Sequence, residues 1–105
     1  MRLEINVVEG TESVVVRLAG ELDVSGIVRA REALRPYLTN SRTVIADVAE
    51  LSFVDSAGLS VFMECRNAAR ASGSRFWVEG AQGEVAMLME LTCVVDLLSK
   101  PSDLG

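Results

Sequence analysis

Residues 43–73 read TVIADVAELSFVDSAGLSVFMECRNAARASG, and the change of pattern inside this stretch decides the fold. Thr43–Val48 is almost entirely apolar, with one acid, Asp47, near its end, which is how a strand buried on both faces reads. From Ser56 to Ser72 the apolar residues recur at helical spacing. Val61, Phe62, Cys65, Ala68 and Ala69 make a sufficient core face, and Gly73 supplies the stop. A buried strand feeding an amphipathic helix is the repeating unit of an α/β sheet with right-handed crossovers. Leu51–Leu59 (LSFVDSAGL) is therefore predicted to be the connection between them, the place where α/β folds usually put their sites.

The flanking sequence extends this unit in both directions. Leu3, Ile5 and Val7 alternate with Glu4 and Asn6, and Val14, Val16 and Leu18 alternate across Ser13–Ala19, so the short Gly10–Glu12 connection predicts an antiparallel hairpin. Gly20–Asp23 is predicted as a loop. Ile27, Ala30, Leu34, Tyr37 and Leu38 share one helical face opposite Arg29, Glu32 and Arg35, with Ser25 or Gly26 as the cap. Pro36 removes an intrahelical hydrogen bond, so this helix is expected to kink or end near Arg35, followed by a polar turn at Thr39–Arg42. Downstream, Arg75–Glu79 reads as a strand, Gly83–Leu91 as a third helix, and Asp96–Ser99 as a last turn. The whole predicts one mixed α/β domain over residues 1–105.

Composition narrows the chemistry. The 105 residues include 10 Lys+Arg, 15 Asp+Glu and no histidine, for a net charge of -5. Without histidine, Ser-His-Asp and Cys-His arrangements lack their base and a histidine-containing zinc site lacks its ligand. The one lysine, Lys100, stands beside Pro101 near the C-terminus, a poor place for a Ser-Lys dyad. Scattered arginines in an acidic chain do not make a nucleic-acid groove. Cys65 and Cys93 form no CxxC pair, which argues against a metal or disulfide framework and for two buried thiols. Arg2, Glu4 and Glu9 interrupt any signal-like segment, and no apolar run reaches membrane-spanning length. The expectation is a cytoplasmic, non-enzymatic protein without cofactor or metal, and without membrane insertion.

The informative residues lie in FVDSAGL, residues 53–59. Ser56 stands where a helix N-cap is expected, and capping alone would account for its hydroxyl. Asp55 is then surplus, because one of the two residues would suffice to cap and charge the helix end. On the helical wheel Leu59 and Met63 fall on the side of Arg66 and Arg70, placing two apolar side chains among solvated charges next to Ser56.

Gly20-Glu21-Leu22-Asp23, the strand ending in Asp47-Val48, the Asp55-Ser56-Ala57-Gly58-Leu59 motif, the helix ended by Gly73, and Leu88–Thr92 before an apolar tail together resemble the STAS family. The similarity is specifically to its single-domain anti-sigma factor antagonists. The resemblance implies a STAS-like mixed sheet of four to five strands with an N-terminal hairpin and three to four helices. It further implies a partner-switching protein whose unphosphorylated form binds an anti-sigma factor that is also a serine kinase of the GHKL type, freeing the sigma factor. In such proteins the kinase phosphorylates the serine that matches Ser56 and a PP2C-type phosphatase reverses the step, while ATP belongs to the kinase. Asp23, Asp55, Ser56, Gly58, Leu59 and Met63 are then the expected partner-binding residues. Cys93 replaces the glycine that usually follows Leu-Thr, so either a left-handed turn there costs about 1–2 kcal/mol or the chain turns differently. The alternative is a STAS subunit of a membrane lipid-transport complex that binds the ATPase subunit. A receiver-like acceptor at Asp47 is disfavoured, since the acidic pair that such chemistry needs after the first strand is missing.

Overall fold

The structure is a computed structural model and describes residues 2–39 and 41–101. Its centre is a four-stranded sheet in the order β1-β2-β3-β4, formed by Leu3–Glu9 (β1), Ser13–Leu22 (β2), Thr43–Val54 (β3) and Arg75–Glu79 (β4). β1 and β2 make the predicted antiparallel hairpin, closed by the Gly10 amide donating to the Ser13 carbonyl at 2.8 Å. β2–β3 and β3–β4 are parallel, and each crossover carries a helix. These are Ile27–Leu34 (α1) and Ser56–Ser72 (α2), with Gly83–Leu91 (α3) and Val95–Leu98 (α4) completing the chain. The last turn thus begins one residue before the expected Asp96–Ser99.

Both central strands are longer than their patterns suggest. β2 runs on through Gly20–Leu22 and β3 through Ala49–Val54, where loops were expected, because the two extensions pair with each other: Gly20 with Leu51, Glu21 with Phe53, Leu22 with Val54. Register shifts between Arg17 and Ala19 and between Gly20 and Glu21 break the period-2 alternation that would have announced them. At Gly20 the backbone turns left-handed (φ +97°), and a Cβ there would lie 2.4 Å from the Arg2 carbonyl oxygen, so only glycine fits beside β1.

The helices meet the sequence expectations with instructive exceptions. α1 stops at Leu34 and passes into a 3-10 turn at Arg35–Tyr37 that contains Pro36. Its entry is a further 3-10 turn, Val24–Gly26, capped by Asp23; Gly26 occupies the α1 cap position without a side-chain bond, and Ser25 does not cap it. Asn40, within the expected polar turn, lies outside the described residues. Gly73 ends α2 in the left-handed conformation (φ +75°), as its position implied. The core unites Val14, Val16 and Leu18 of β2, Val44, Ala46 and Val48 of β3, and Ala30, Leu34, Val61 and Phe62 of the helices. The thiols divide: Cys65 is buried, its pKa pushed up to about 12 chiefly by burial, whereas Cys93 is exposed and not the buried thiol expected. Of the two alternatives at Cys93, the chain takes the left-handed turn (φ +60°).

Candidate functional site

Two neighbouring parallel strands end side by side, and each is followed by an aspartate that caps what comes next. After β2, the Asp23 carboxylate accepts from the Ser25 amide at 2.9 Å and from the Ser25 hydroxyl at 2.5 Å. The Ser25 hydroxyl chiefly holds the Asp23 pKa below the usual carboxylate range, against the opposing effect of desolvation and with help from the backbone amides. The cap therefore contributes above the ordinary carboxylate pKa and is lost only as pH falls through the lowered value. After β3, Asp55 caps α2 by accepting from the Gly58 amide at 2.8 Å. The Asp55 amide in turn donates to the Leu22 carbonyl at 3.3 Å, tying the two strand ends together.

This corrects the expected role of Ser56. It is not the cap but the first residue of α2, exposed, and no hydrogen bond among the described residues engages its hydroxyl. Asp55 performs the capping and leaves the Ser56 hydroxyl open to solvent. Gly58 is buried under this turn. A Cβ there would meet Val54 Cγ2 at 2.6 Å and the Leu22 side chain and carbonyl at 2.9 Å, so glycine is what lets α2 start against both strand ends.

Ser56, Leu59, Ser60, Met63, Glu64 and Asn67 form one wall of a shallow groove along α2, with a cavity volume of about 290 Å³. Thr92 and Val94, between α3 and α4, form the other. The expected exposure of Leu59 is overturned: it is 4% exposed and belongs to the core, presenting only an edge to the groove. Met63 is half-buried, packed against the core and open to the groove. Asp23 does not line the groove; it sits at the end of the adjacent strand. Ser60, Glu64 and Asn67 continue from Ser56 at helical spacing, a signal the wheel contained. Thr92 and Val94 had no such signal, since they reach the site only through packing. Glu64 is held by Arg31 of α1 in a forked pair at 3.0 and 3.2 Å, which fixes the groove's rim and raises the guanidinium's pKa.

A larger groove, about 420 Å³, lies at the opposite ends of the strands around Arg42, Arg75 and Trp77. Arg42 there is committed to Glu9 and to the Gly10 carbonyl, at 2.8 and 3.0 Å, and so serves the fold. Among the described residues no cluster of three or more Cys, Asp or Glu side chains could hold a metal ion, and no helix is long and apolar enough to cross a membrane.

The family model described as "Mlab, STAS domain" matches residues 5–99. The chain is similar to the anti-sigma-B factor antagonist of Listeria monocytogenes, 29% identical over 93% of this chain and 88% of that protein. It is likewise similar to the protein of that name in Staphylococcus aureus, at 26% over 93% and 92%. Among solved structures it resembles the anti-sigma factor antagonist SpoIIAA in its unphosphorylated form, with a TM-score of 0.69, 23% identity, and 87% and 83% of the two chains covered. The phosphorylated form of the Bacillus cell fate determinant SpoIIAA superposes with a TM-score of 0.71, at 20% identity over 95% and 93%.

Proposed function

The chain belongs to the STAS-domain family, and from that premise we propose that it is an anti-sigma factor antagonist switched by phosphate at Ser56. Unphosphorylated, it binds an anti-sigma factor that is also a GHKL-type serine kinase and so releases the sigma factor. The observation that carries the reading is the exposed Ser56 hydroxyl at the first position of α2, relieved of capping by Asp55 and set above an open groove.

The chemistry needs nothing further from this chain. Ser56 Oγ attacks the γ-phosphorus of ATP held by the kinase; the new O–P bond forms as the bond to the β-phosphate oxygen breaks, ADP leaves, and the hydroxyl proton passes to a base of the kinase. A PP2C-type phosphatase restores the serine by transferring the phosphoryl group to water. The phosphate brings about 1.5–2 negative charges to a helix N-terminus, which favours anions, so the fold persists. At the interface the same charge joins Asp23 and Asp55, and like-charge juxtaposition there costs several kcal/mol, each ~1.4 of which is tenfold in affinity.

Purified GHKL kinases from the source genome, incubated with the protein and ATP, are expected to place one phosphate on Ser56 by mass spectrometry. Ser56→Ala should abolish transfer and keep kinase binding; Ser56→Asp should weaken it. Stoichiometric phosphate on Ser56→Ala would move the acceptor elsewhere. Tight binding to a lipid-transport ATPase subunit without phosphate transfer would favour the transport-complex reading instead.

A further inference from the structure

Arg66 and Arg70 stand one turn apart on α2, and the sequence sets no acid three or four positions from either. Like charges at that spacing repel, and nothing within the helix offsets them. Elsewhere the arginines are committed: Arg2, Arg17, Arg31 and Arg42 each pair with a carboxylate, and Arg29 donates to the Leu3 carbonyl. Among the described residues no carboxylate pairs with Arg66, Arg70 or Arg75. These three come from two elements, the end of α2 and the start of β4, into one groove of about 260 Å³. Its other wall is the chain at Asp96, Leu97 and Ser99, and Phe76 adds apolar lining.

This groove lies in line with the one at Ser56. Both run between α2 and residues 92–101; Met63 and Asn67 stand on the α2 wall of one, Arg66 and Arg70 on that of the other. Arg66 donates to the Asn67 side chain at 3.4 Å, across the junction. Charge is uneven along this trench. Beside Ser56 are Asp55 and Glu64, the latter paired with Arg31, while at the far end three arginines outweigh Asp96.

Charge and continuity name the occupant. Three uncompensated guanidinium groups call for carboxylates, which they bind through charge-assisted hydrogen bonds. A nucleic acid or an anionic membrane needs a longer basic track than this, and the chain around it has a net charge of -5. A free inorganic anion would leave Phe76 and Leu97 unmatched. We propose that the partner bound at Ser56 extends along the trench and places an acidic segment, with an apolar residue beside its carboxylates, between Arg66, Arg70 and Arg75. This rests on the reading of Ser56 given above.

The test uses the whole chain and a purified GHKL kinase that phosphorylates Ser56, with affinity measured by calorimetry over a range of salt. Arg66→Gln and Arg70→Gln combined in one variant should weaken binding about tenfold and flatten its salt dependence, with a melting temperature close to wild type. Asp96→Asn removes the opposing acid of the groove and should tighten binding. Arg17→Gln loses the same charge on the other face of β2 from Val16 and Leu18, and should change neither affinity nor salt dependence.

Wild-type affinity in the double variant, on which Ser56 still accepts phosphate, overturns the groove and leaves the switch standing. Equal weakening by Arg17→Gln overturns it too, by reducing the effect to net charge. A melting temperature lowered alike in the double variant and in Asp103→Asn overturns it by giving the arginines to the chain's own C-terminal residues. A dimer in solution that the double variant dissociates overturns it by giving them to a second copy. Failure of every such kinase to bind the wild-type chain overturns the Ser56 reading and this one with it.

Discussion

Asp55 and Ser56 are adjacent and both are able to cap a helix, yet the structure gives them separate tasks. Asp55 keeps extended backbone (φ -102°, ψ -177°) and aims its carboxylate at the Gly58 amide, while Ser56 is already inside the helix with an exposed side chain. Removing the carboxylate strips the helix start of its one side-chain acceptor, so Asp55→Ala should cost about 0.5–2 kcal/mol of folding stability. Ser56→Ala, at an exposed site without a hydrogen bond to lose, should stay within about 0.5 kcal/mol of wild type. Urea denaturation of the two variants decides the matter: equal losses would mean that the serine shares the capping. On the function proposed for Ser56 the separation suits a switch, because phosphate can come and go there without disturbing the cap at Asp55.

At the scale of the element, α2 shows where a helical wheel stops being informative. The wheel treats a helix as equally covered along its length, and α2 is not. Near its start the buried side widens to take in Gly58 and Leu59, where the ends of β2 and β3 and the chain at Thr92 and Val94 lie close, whereas in the second half burial is confined to Cys65 and Ala69 and Arg70 is exposed. Leu59 and Met63, which share a side on the wheel, therefore differ in consequence. Leu59→Ala should cost about 2–5 kcal/mol of stability, as truncation in a packed core does. Met63→Ala, half-buried, should lose clearly less stability than Leu59→Ala and weaken kinase binding by about 1–2 kcal/mol. Thermal melts and affinities on both variants separate the two roles; a melting point for Met63→Ala as low as that of Leu59→Ala would place Met63 in the core.

For the whole molecule, the site exists because β2 and β3 end together and α2 begins against both. Gly58 is the point of closest approach, and Gly58→Ala pushes a methyl group into Val54, Leu22 and the Leu22 carbonyl. Overpacking of this kind costs about 1–3 kcal/mol. Because the Leu22 backbone leads directly into Asp23, the variant should also displace the Asp23 turn; NMR shifts at both Ser25 and Ser56 are the measurement, and changes confined to α2 would show that the strand ends move independently. The sequence by itself determined what depends on local pattern: the hairpin, the central strand from Thr43, the ends of α2 at Ser56 and Gly73, the short β4 and the acidic, histidine-free chemistry; it misread that strand as buried on both faces, since Val44, Ala46 and Val48 are buried while Thr43, Ile45 and Asp47 on the other face are only partly covered. Periodicity and special backbone positions are properties of neighbours along the chain, and they survive in one dimension. The tertiary structure alone decided the strand extensions through Leu22 and Val54, which exist only by pairing with each other across bulges. It also decided that Asp55 rather than Ser56 is the cap, that Leu59 is enclosed, and that Thr92 and Val94 wall the groove. Each of these depends on which distant surface arrives to cover or bond a group, and that is set by packing between elements far apart in the chain.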